Sequence, residues 1–490
     1  MTLLLLLLVP LLAGLLCLAT NSRVWWERLN LAAFALVAGL ALWVAGNVAT
    51  QGTISALDGF LRADALSALV LGLTGFVSVV CAIYAVGYFR REASEGRVTH
   101  AQLRRYYVLT PLFVAAMLLV PLADNLGVMW VATESTTLAS VLLVTFYNQK
   151  TSFEAGWKYI IIGSVGLSLA LFGTVFTYYA AVGVLGPETR GGMNWSVLAG
   201  VGDKLNQPAM RLMFILVLLG YGTKAGLAPM HTWKPDAYAE APVPSAALLG
   251  AAFINCAFYA IIRFDVLAEK CLGRDFPGKL LGGFGVATIL VATPFVLVQR
   301  NFRRLLAYSS IDHAGIMVAG LGFGGKLGAL GATLHMVFHA VTKPLLFFCA
   351  GNVQQQFATP YLWKVRGVIR SLPWTGGLFL MAALAVTGTP PFSLFQSEFS
   401  ILSAALAADR GWAAALFVGG VVAIFAGFLA HVSKLSLGAP APDTPCAAEC
   451  PWKLAAMALV AVPVTTLGFW LPGPLYELVR QTAQIIEGVP

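Results

Sequence analysis

The run TLLLLLLVPLLAGLLCL, Thr2 to Leu18, decides the fold. It carries no charge and lacks the alternation of a barrel strand. In a bilayer every backbone N–H and C=O must be satisfied within its own segment or a closed barrel, so such a run is a membrane helix. It has no basic flank ahead of it and is longer than an ordinary signal core, so we read it as a retained helix, not a cleaved leader.

Outward from this run the same pattern repeats. About 20 apolar residues at 1.5 Å each cross a hydrocarbon core of about 30 Å, and the chain divides into about fourteen such spans. They fall near residues 2–20, 29–49, 65–89, 107–123, 125–147, 158–183 and 212–231, then 241–264, 280–299, 305–321, 327–352, 372–407, 412–433 and 454–471. Of 490 residues, 59% are apolar and 11% charged, with a mean hydropathy of +0.80. A soluble domain carries about 25% charged residues, which excludes a soluble enzyme. The expected fold is an all-α polytopic membrane protein.

Lysine and arginine are unevenly shared between alternate loops. The richer side receives Arg23, Arg28, Arg90, Arg91, Arg104, Arg105, Lys158, Lys234, Arg300, Arg303 and Arg304 among others, the poorer Arg62, Arg190, Arg211, Lys270 and Lys279 among others. The positive-inside rule puts the first of these sides in the cytoplasm and, with an even span count, both termini outside. The net charge of +9 is therefore mostly topology and no sign of nucleic acid. Cys17, Cys81, Cys256, Cys271, Cys349, Cys446 and Cys450 form no CxxC pair, which argues against a disulfide framework or an iron–sulfur site.

Lys224 and Lys343 lie deep within apolar runs, as do Glu134 in WVATESTTLAS and Glu398 in FSLFQSEFSIL. His335 and His339 follow in TLHMVFHAVTKP, and Asp312 with His313 in YSSIDHAG. A charge at a helix centre costs roughly 2.5 to 3.5 kcal/mol, so the four lysines and glutamates left unpaired would cost on the order of 10 kcal/mol. Anchoring alone would not sustain that cost. Lys158, Arg211, Lys279 and Asp124 stand at span ends instead, where snorkelling or capping accounts for them.

Two spans are interrupted. In LLGYGTKAGLAPMHTWKPDAYAEAP, Leu218 to Pro242, Gly222 and Gly226 bracket Lys224 and Pro229 follows; in TGTPPFSLFQSEFS, Thr387 to Ser400, Gly388, Pro390 and Pro391 precede Glu398. Glycine and proline at this density break a helix and free backbone groups that must line a cavity. Interrupted helices at matching places in two halves predict an inverted-repeat transporter. The expected organisation is three helices over 1–106, a five-helix repeat over 107–265, its inverted copy over 275–438, and a last helix and tail over 451–490.

The inventory suits proton movement. Burial disfavours the charged form of a carboxylate or an amine, and a nearby opposite charge favours it. A carboxylate whose influence on a buried lysine changes will change whether that lysine holds its proton, as one coupled titration. His335, His339 and Lys343 share one helical face, about 6 Å of rise apart, as a relay requires. HxxxH also suggests zinc, but Met336 stands where HExxH has its glutamate and no third ligand is evident in the sequence, so no metal is expected. GLGFGG, Gly320 to Gly325, follows a helical span without the acidic context of a nucleotide loop, and reads as a connection. No redox-cofactor motif occurs, so any electron transfer must come from partner subunits.

Together the runs WVATESTTLAS, GYGTKAGLAPMHTWKPDAYAEAPVPSAALL, RNFRRLLAYSSIDHAGIM, HMVFHAVTKPLLFFCAGNV and GTPPFSLFQSEFSIL resemble the signature segments of the proton-conducting antiporter-like family. That family comprises the proton-pumping membrane subunits of respiratory complex I, membrane-bound hydrogenases and formate hydrogenlyase, and the large subunits of Mrp-type sodium/proton antiporters. The Asp312–His313 pair and LLGAAFINCAFYAIIRF, Leu248 to Phe264, are most similar to the F component of hydrogenase-4-type complexes. The resemblance implies an integral protein of a bacterial cytoplasmic membrane, without a cofactor of its own, among other membrane subunits of a respiratory or hydrogenase-type complex.

Carried over residue by residue, it makes Glu134 the acidic partner in the fifth span and Lys224 the lysine it gates in the broken seventh. Lys343 with His335 and His339 becomes the central relay, and Glu398 the terminal protonatable group; Asp312, His313 and His231 are further candidates. Some relatives place a lysine in the eighth span, where this chain has Asn255, so no titratable group is expected there between the halves. The alternatives are an Mrp-like antiporter exchanging Na⁺ or K⁺ for H⁺, a proton-coupled subunit of an inorganic-carbon uptake complex, and a scaffold with a vestigial row.

Overall fold

The computed structural model describes residues 1–439 and 446–488; the last two residues of the expected tail segment 451–490 lie outside the described residues. Two helices, α1 (Thr2–Ala19) and α2 (Arg23–Gln51), lead into a two-stranded hairpin, β1 (Ile54–Ala56) and β2 (Leu61–Ala63). The helices α3 (Ala65–Ser94), α4 (His100–Leu122), α5 (Leu126–Val144) and α6 (Lys150–Leu185) follow. Next come the short α7 (Trp195–Gly200), α8 (Gln207–Ala225), α9 (Trp233–Glu240), α10 (Val243–Leu248) and, after a π-helical turn at Leu249–Phe253, α11 (Ile254–Leu272). The chain continues through α12 (Asp275–Leu297), α13 (Phe302–Phe323), α14 (Gly325–Phe357), α15 (Val368–Ser371), α16 (Pro373–Val386) and α17 (Ser393–Ala407). It closes with α18 (Gly411–Leu437), α19 (Pro451–Thr466) and α20 (Gly473–Ile486).

Every expected span is helical, and the two interruptions fall where glycine and proline predicted them, between α8 and α9 and between α16 and α17. Among the described residues, ten helices are long and apolar enough to cross a membrane, by length and composition. Helices α8, α13 and α17 are not among them, and these carry Lys224, Asp312 with His313, and Glu398. The chain is thus an integral membrane bundle turned inside out: Leu138, Val165, Trp43 and Val422 are exposed, whereas Lys224, His335, His339 and Lys343 are buried.

Two features lie outside the expected spans. The hairpin pairs Ile54 with Ala63 and Ala56 with Leu61; its turn uses positive φ at Leu57, Asp58 and Gly59, and a loop too polar for a span saves its backbone groups by pairing. The tail is the helix α20, which turns Leu478, Val479, Ala483 and Ile486 inward and presents Glu477 and Arg480 outward as an ion pair.

Small residues let the helices approach closely, as expected where lipid offers no hydrophobic drive between them. A Cβ on Gly285 would collide with the Ala319 nitrogen and one on Gly322 with the Gly282 nitrogen, so α12 and α13 touch backbone to backbone.

The loops meet at two ends. At one, Arg263 donates to both carboxylate oxygens of Asp64 at 2.6 and 2.7 Å and stacks on Trp195 and Tyr259, while Asp124 accepts from Ser196. Burial pushes the Asp64 carboxyl up, but the Arg263 and Arg62 guanidiniums reverse this and hold it below its ordinary range. At the other end Asp236 accepts from Lys158 and Arg304, and Glu27 from Arg90. Removing one member of a buried pair strands its partner at about 3–5 kcal/mol. Arg263→Ala should therefore lower the melting temperature of the detergent-purified protein by several degrees, and an unchanged transition would contradict a closed Asp64–Arg263 lock.

Candidate functional site

The interrupted helices create the site by releasing backbone carbonyls. Helix α8 ends on Gly226 in the left-handed region, φ +83°, and its last carbonyls are taken by side chains: Trp233 Nε1 donates to Thr223 O at 2.9 Å and Lys234 Nζ to Ala225 O at 2.8 Å. Thr288 of α12 braces the break by accepting from Ala228 N at 3.1 Å.

Lys224, 1% exposed, points from the last turn of α8 toward α5. It makes no direct ion pair with Glu134 among the described residues. Its Nζ donates to Thr137 Oγ1, and the Thr137 hydroxyl is 3.5 Å from Glu134 Oε2. The ammonium also lies 5.1 Å from the centre of the Tyr159 ring and 6.0 Å from that of Phe253, and Tyr159 shares a 2.7 Å hydrogen bond with Ser140. A Cβ on Gly163 would come within 3.0 Å of Lys224 Nζ, so that glycine is the recess into which the amine fits.

In the second half Lys343 Nζ donates to Ser309 Oγ at 2.9 Å and Leu306 O at 3.3 Å, both on α13. His339 is wholly buried with neither ring nitrogen bonded, and its ring centre lies 5.1 Å from that of His313. His313 Nδ1 is 2.9 Å from His335 Nε2, and His335 Nδ1 is 2.9 Å from Ser397 Oγ. Glu398 follows on α17, its carboxylate against Gly388 and at the base of a cavity of about 220 Å³ lined by Thr387, Phe395, Phe417 and Phe425.

Three expectations change. His313, a further candidate in the sequence, sits inside the string between His339 and His335. A cluster of metal-type ligands other than the HxxxH pair is present: His313, His335 and Glu398, without His339, bring one ligand atom each within 4.8 Å of one another. Both ring nitrogens of His335 are already hydrogen-bonded, so the cluster as it stands is a hydrogen-bonded chain. Lys234, assigned to a loop by its sequence position, is completely buried.

Of the remaining candidates, Asp312 is buried with Oδ1 unpaired. His231 stands in the α8–α9 break beside Phe295 and Tyr308. Asn255 is buried, and its amide donates to Ala251 O in the preceding turn. Thr137, Ser309 and Ser397 were missed: hydroxyls are unremarkable in an apolar helix, and their positions facing titratable groups arise only from packing.

The family described as NADH:quinone oxidoreductase/Mrp antiporter, transmembrane, matches residues 123–424. A hydrogenase-4 component F homolog of Methylacidiphilum infernorum is 37% identical over 385 residues, 79% of this chain and 80% of that protein. Among solved structures, a chain of the membrane-bound sulfane sulfur reductase, an archaeal respiratory membrane complex, superposes with a TM-score of 0.86 at 23% identity, covering 99% of this chain and 97% of that one. A chain of the Mrp complex from Dietzia sp. DQ12-45-1b gives 0.84 at 22%, covering 98% and 96%. At these identities the two structures share the fold.

Proposed function

From the premise that this chain belongs to the NADH:quinone oxidoreductase/Mrp antiporter transmembrane family, as a proton-translocating antiporter-like subunit, we propose that protons pass along Glu134, Lys224, Lys343, His339 and Glu398. His313 and His335 carry the step from His339 to Glu398. Asp312 tunes Lys343, and His231 stands beside the break. The observation that carries this reading is the string His313, His335, Ser397, with 2.9 Å at each step, buried beside the Glu398 carboxylate, which lies within 4.8 Å of the His313 and His335 ring nitrogens. Titratable groups are costly in a bilayer, and where they occur they mark ion pathways and proton relays.

The two broken helices support a pair of inverted repeats over 107–265 and 275–438, each supplying one half-channel. The side holding Arg90, Arg105, Lys158 and Arg304 faces the cytoplasm of a bacterial inner membrane, with both termini outside. With no redox-cofactor motif in the sequence, energy reaches the row in this reading from redox subunits of a hydrogenase-4-like or complex I-like assembly, through conformational or electrostatic change at their contacts.

The tagged chain, purified gently from its native membrane, should bring hydrogenase-like, formate dehydrogenase-like or quinone-reducing subunits with it, identified by mass spectrometry. Only small membrane partners and no redox protein would overturn the assembly and favour Mrp-like exchange of Na⁺ or K⁺.

A further inference from the structure

The first half ends at Lys224 and the second begins at Lys343, and the eighth span offers only Asn255 between them. A buried amine lies in that gap. Lys234 is wholly buried, reaching back from the start of α9. Its Nζ donates to Ala225 O, the carbonyl of the residue after Lys224, at 2.8 Å, and to Ser310 O on α13 at 3.4 Å. Ser310 Oγ in turn donates to Leu306 O at 3.1 Å, the carbonyl that also accepts from Lys343 Nζ. Lys234 thus touches the end of the first half with one hydrogen and, with another, the turn of α13 that holds Lys343.

The site is built for this side chain. Gly226 needs its left-handed conformation to end α8, and a Cβ there would lie 2.7 Å from Lys234 Cδ and 3.1 Å from Nζ. The pattern recurs at Gly163 beside Lys224 and Gly388 beside Glu398. No carboxylate pairs with Lys234 among the described residues, and an uncompensated buried ammonium is costly. A neutral amine has two N–H donors and a lone pair, against three donors in the ammonium. The two carbonyls fill the neutral form's donors and leave the lone pair free to receive a proton.

We propose that Lys234 is the proton carrier that joins the two halves, receiving from Lys224 and delivering toward Lys343. The inference rests on the pathway proposed above. In each transfer one ammonium becomes an amine and one amine an ammonium, so no other reactant is consumed. The titratable groups facing Lys234 are Lys343 and His339 of α14, with His231 and Tyr238 of its own segment; α8 and α13 offer it carbonyls.

The test is proton movement by the assembled complex in native membrane vesicles. Lys234→Gln and Lys234→Arg keep donors for the Ala225 carbonyl but cannot exchange a proton, and each should assemble and conduct about 10²-fold more slowly, the lower end for loss of a positioned proton-transfer group. Lys234→His restores exchange with an ordinary pKa of roughly 6.5 in place of roughly 10.4, so it should regain part of the rate with a pH profile displaced toward acid. A mere cap for α8 would move no pH profile. Full rates in Lys234→Gln and Lys234→Arg while Lys224→Ala stops conduction would overturn the Lys234 assignment and leave the pathway standing. Full rates in Lys224→Ala as well would overturn both.

Discussion

Lys224→Ala and Glu134→Gln are each expected to stop proton movement in membrane vesicles while the complex still assembles. Alanine removes the amine from the recess formed by Gly163, Thr137, Tyr159 and Phe253, leaving a gap with no amine to take up and release the proton. Glutamine at Glu134 keeps the shape and can still accept from Thr137, but its charge no longer acts on Lys224. Since Glu134 and Lys224 meet through the Thr137 hydroxyl and not as a direct ion pair, the loss in Glu134→Gln is a loss of field, not of a structural clamp. Each change should cost at least about 10² in rate, read by a pH-sensitive dye and normalised to the complex recovered by co-purification. Normal pumping by both variants would rule out the route.

The sequence made the frame and most of the titratable groups readable, for reasons that differ by residue. Lys224, Lys343, Glu134 and Glu398 stood out because a charge inside a 20-residue apolar run has no ordinary explanation. The breaks were readable because Gly226 and Gly388 precede prolines, and both prove to need positive φ. Lys234 was hidden by the same rule: with Pro235 and Asp236 beside it the segment looks like a loop, and only the reversal of the chain after Gly226 carries it inward. His313 was seen but could not be ordered, because its neighbour His335 is contributed by another helix and its place in the string depends on how α13 and α14 face each other. The HxxxH spacing suggested that His335 and His339 act as a pair, whereas each instead meets His313. The hairpin and the helix α20 lay below the threshold of hydropathy, which reads spans and says little about what folds at their ends.

Glu398 gives the second large effect, and the geometry around it separates charge from position. Glu398→Gln should cut proton movement by about 10²-fold or more, because the amide fills the carboxylate's place but cannot release a proton. Gly388→Ala should slow it at least about tenfold without replacing a titratable residue. The new Cβ would collide with Glu398 Oε2, and alanine at φ +64° adds roughly 1–2 kcal/mol of local strain. The carboxylate must then leave its present place, where its ligand atom lies within 4.8 Å of those of His313 and His335. Gly377→Ala is the matched control on the same broken segment, since nothing lies within 4 Å of its Cβ, and it should conduct normally. Equal rates in Gly388→Ala and Gly377→Ala would show that the position of the Glu398 carboxylate does not matter, and a terminal relay group cannot be indifferent to where its carboxylate points.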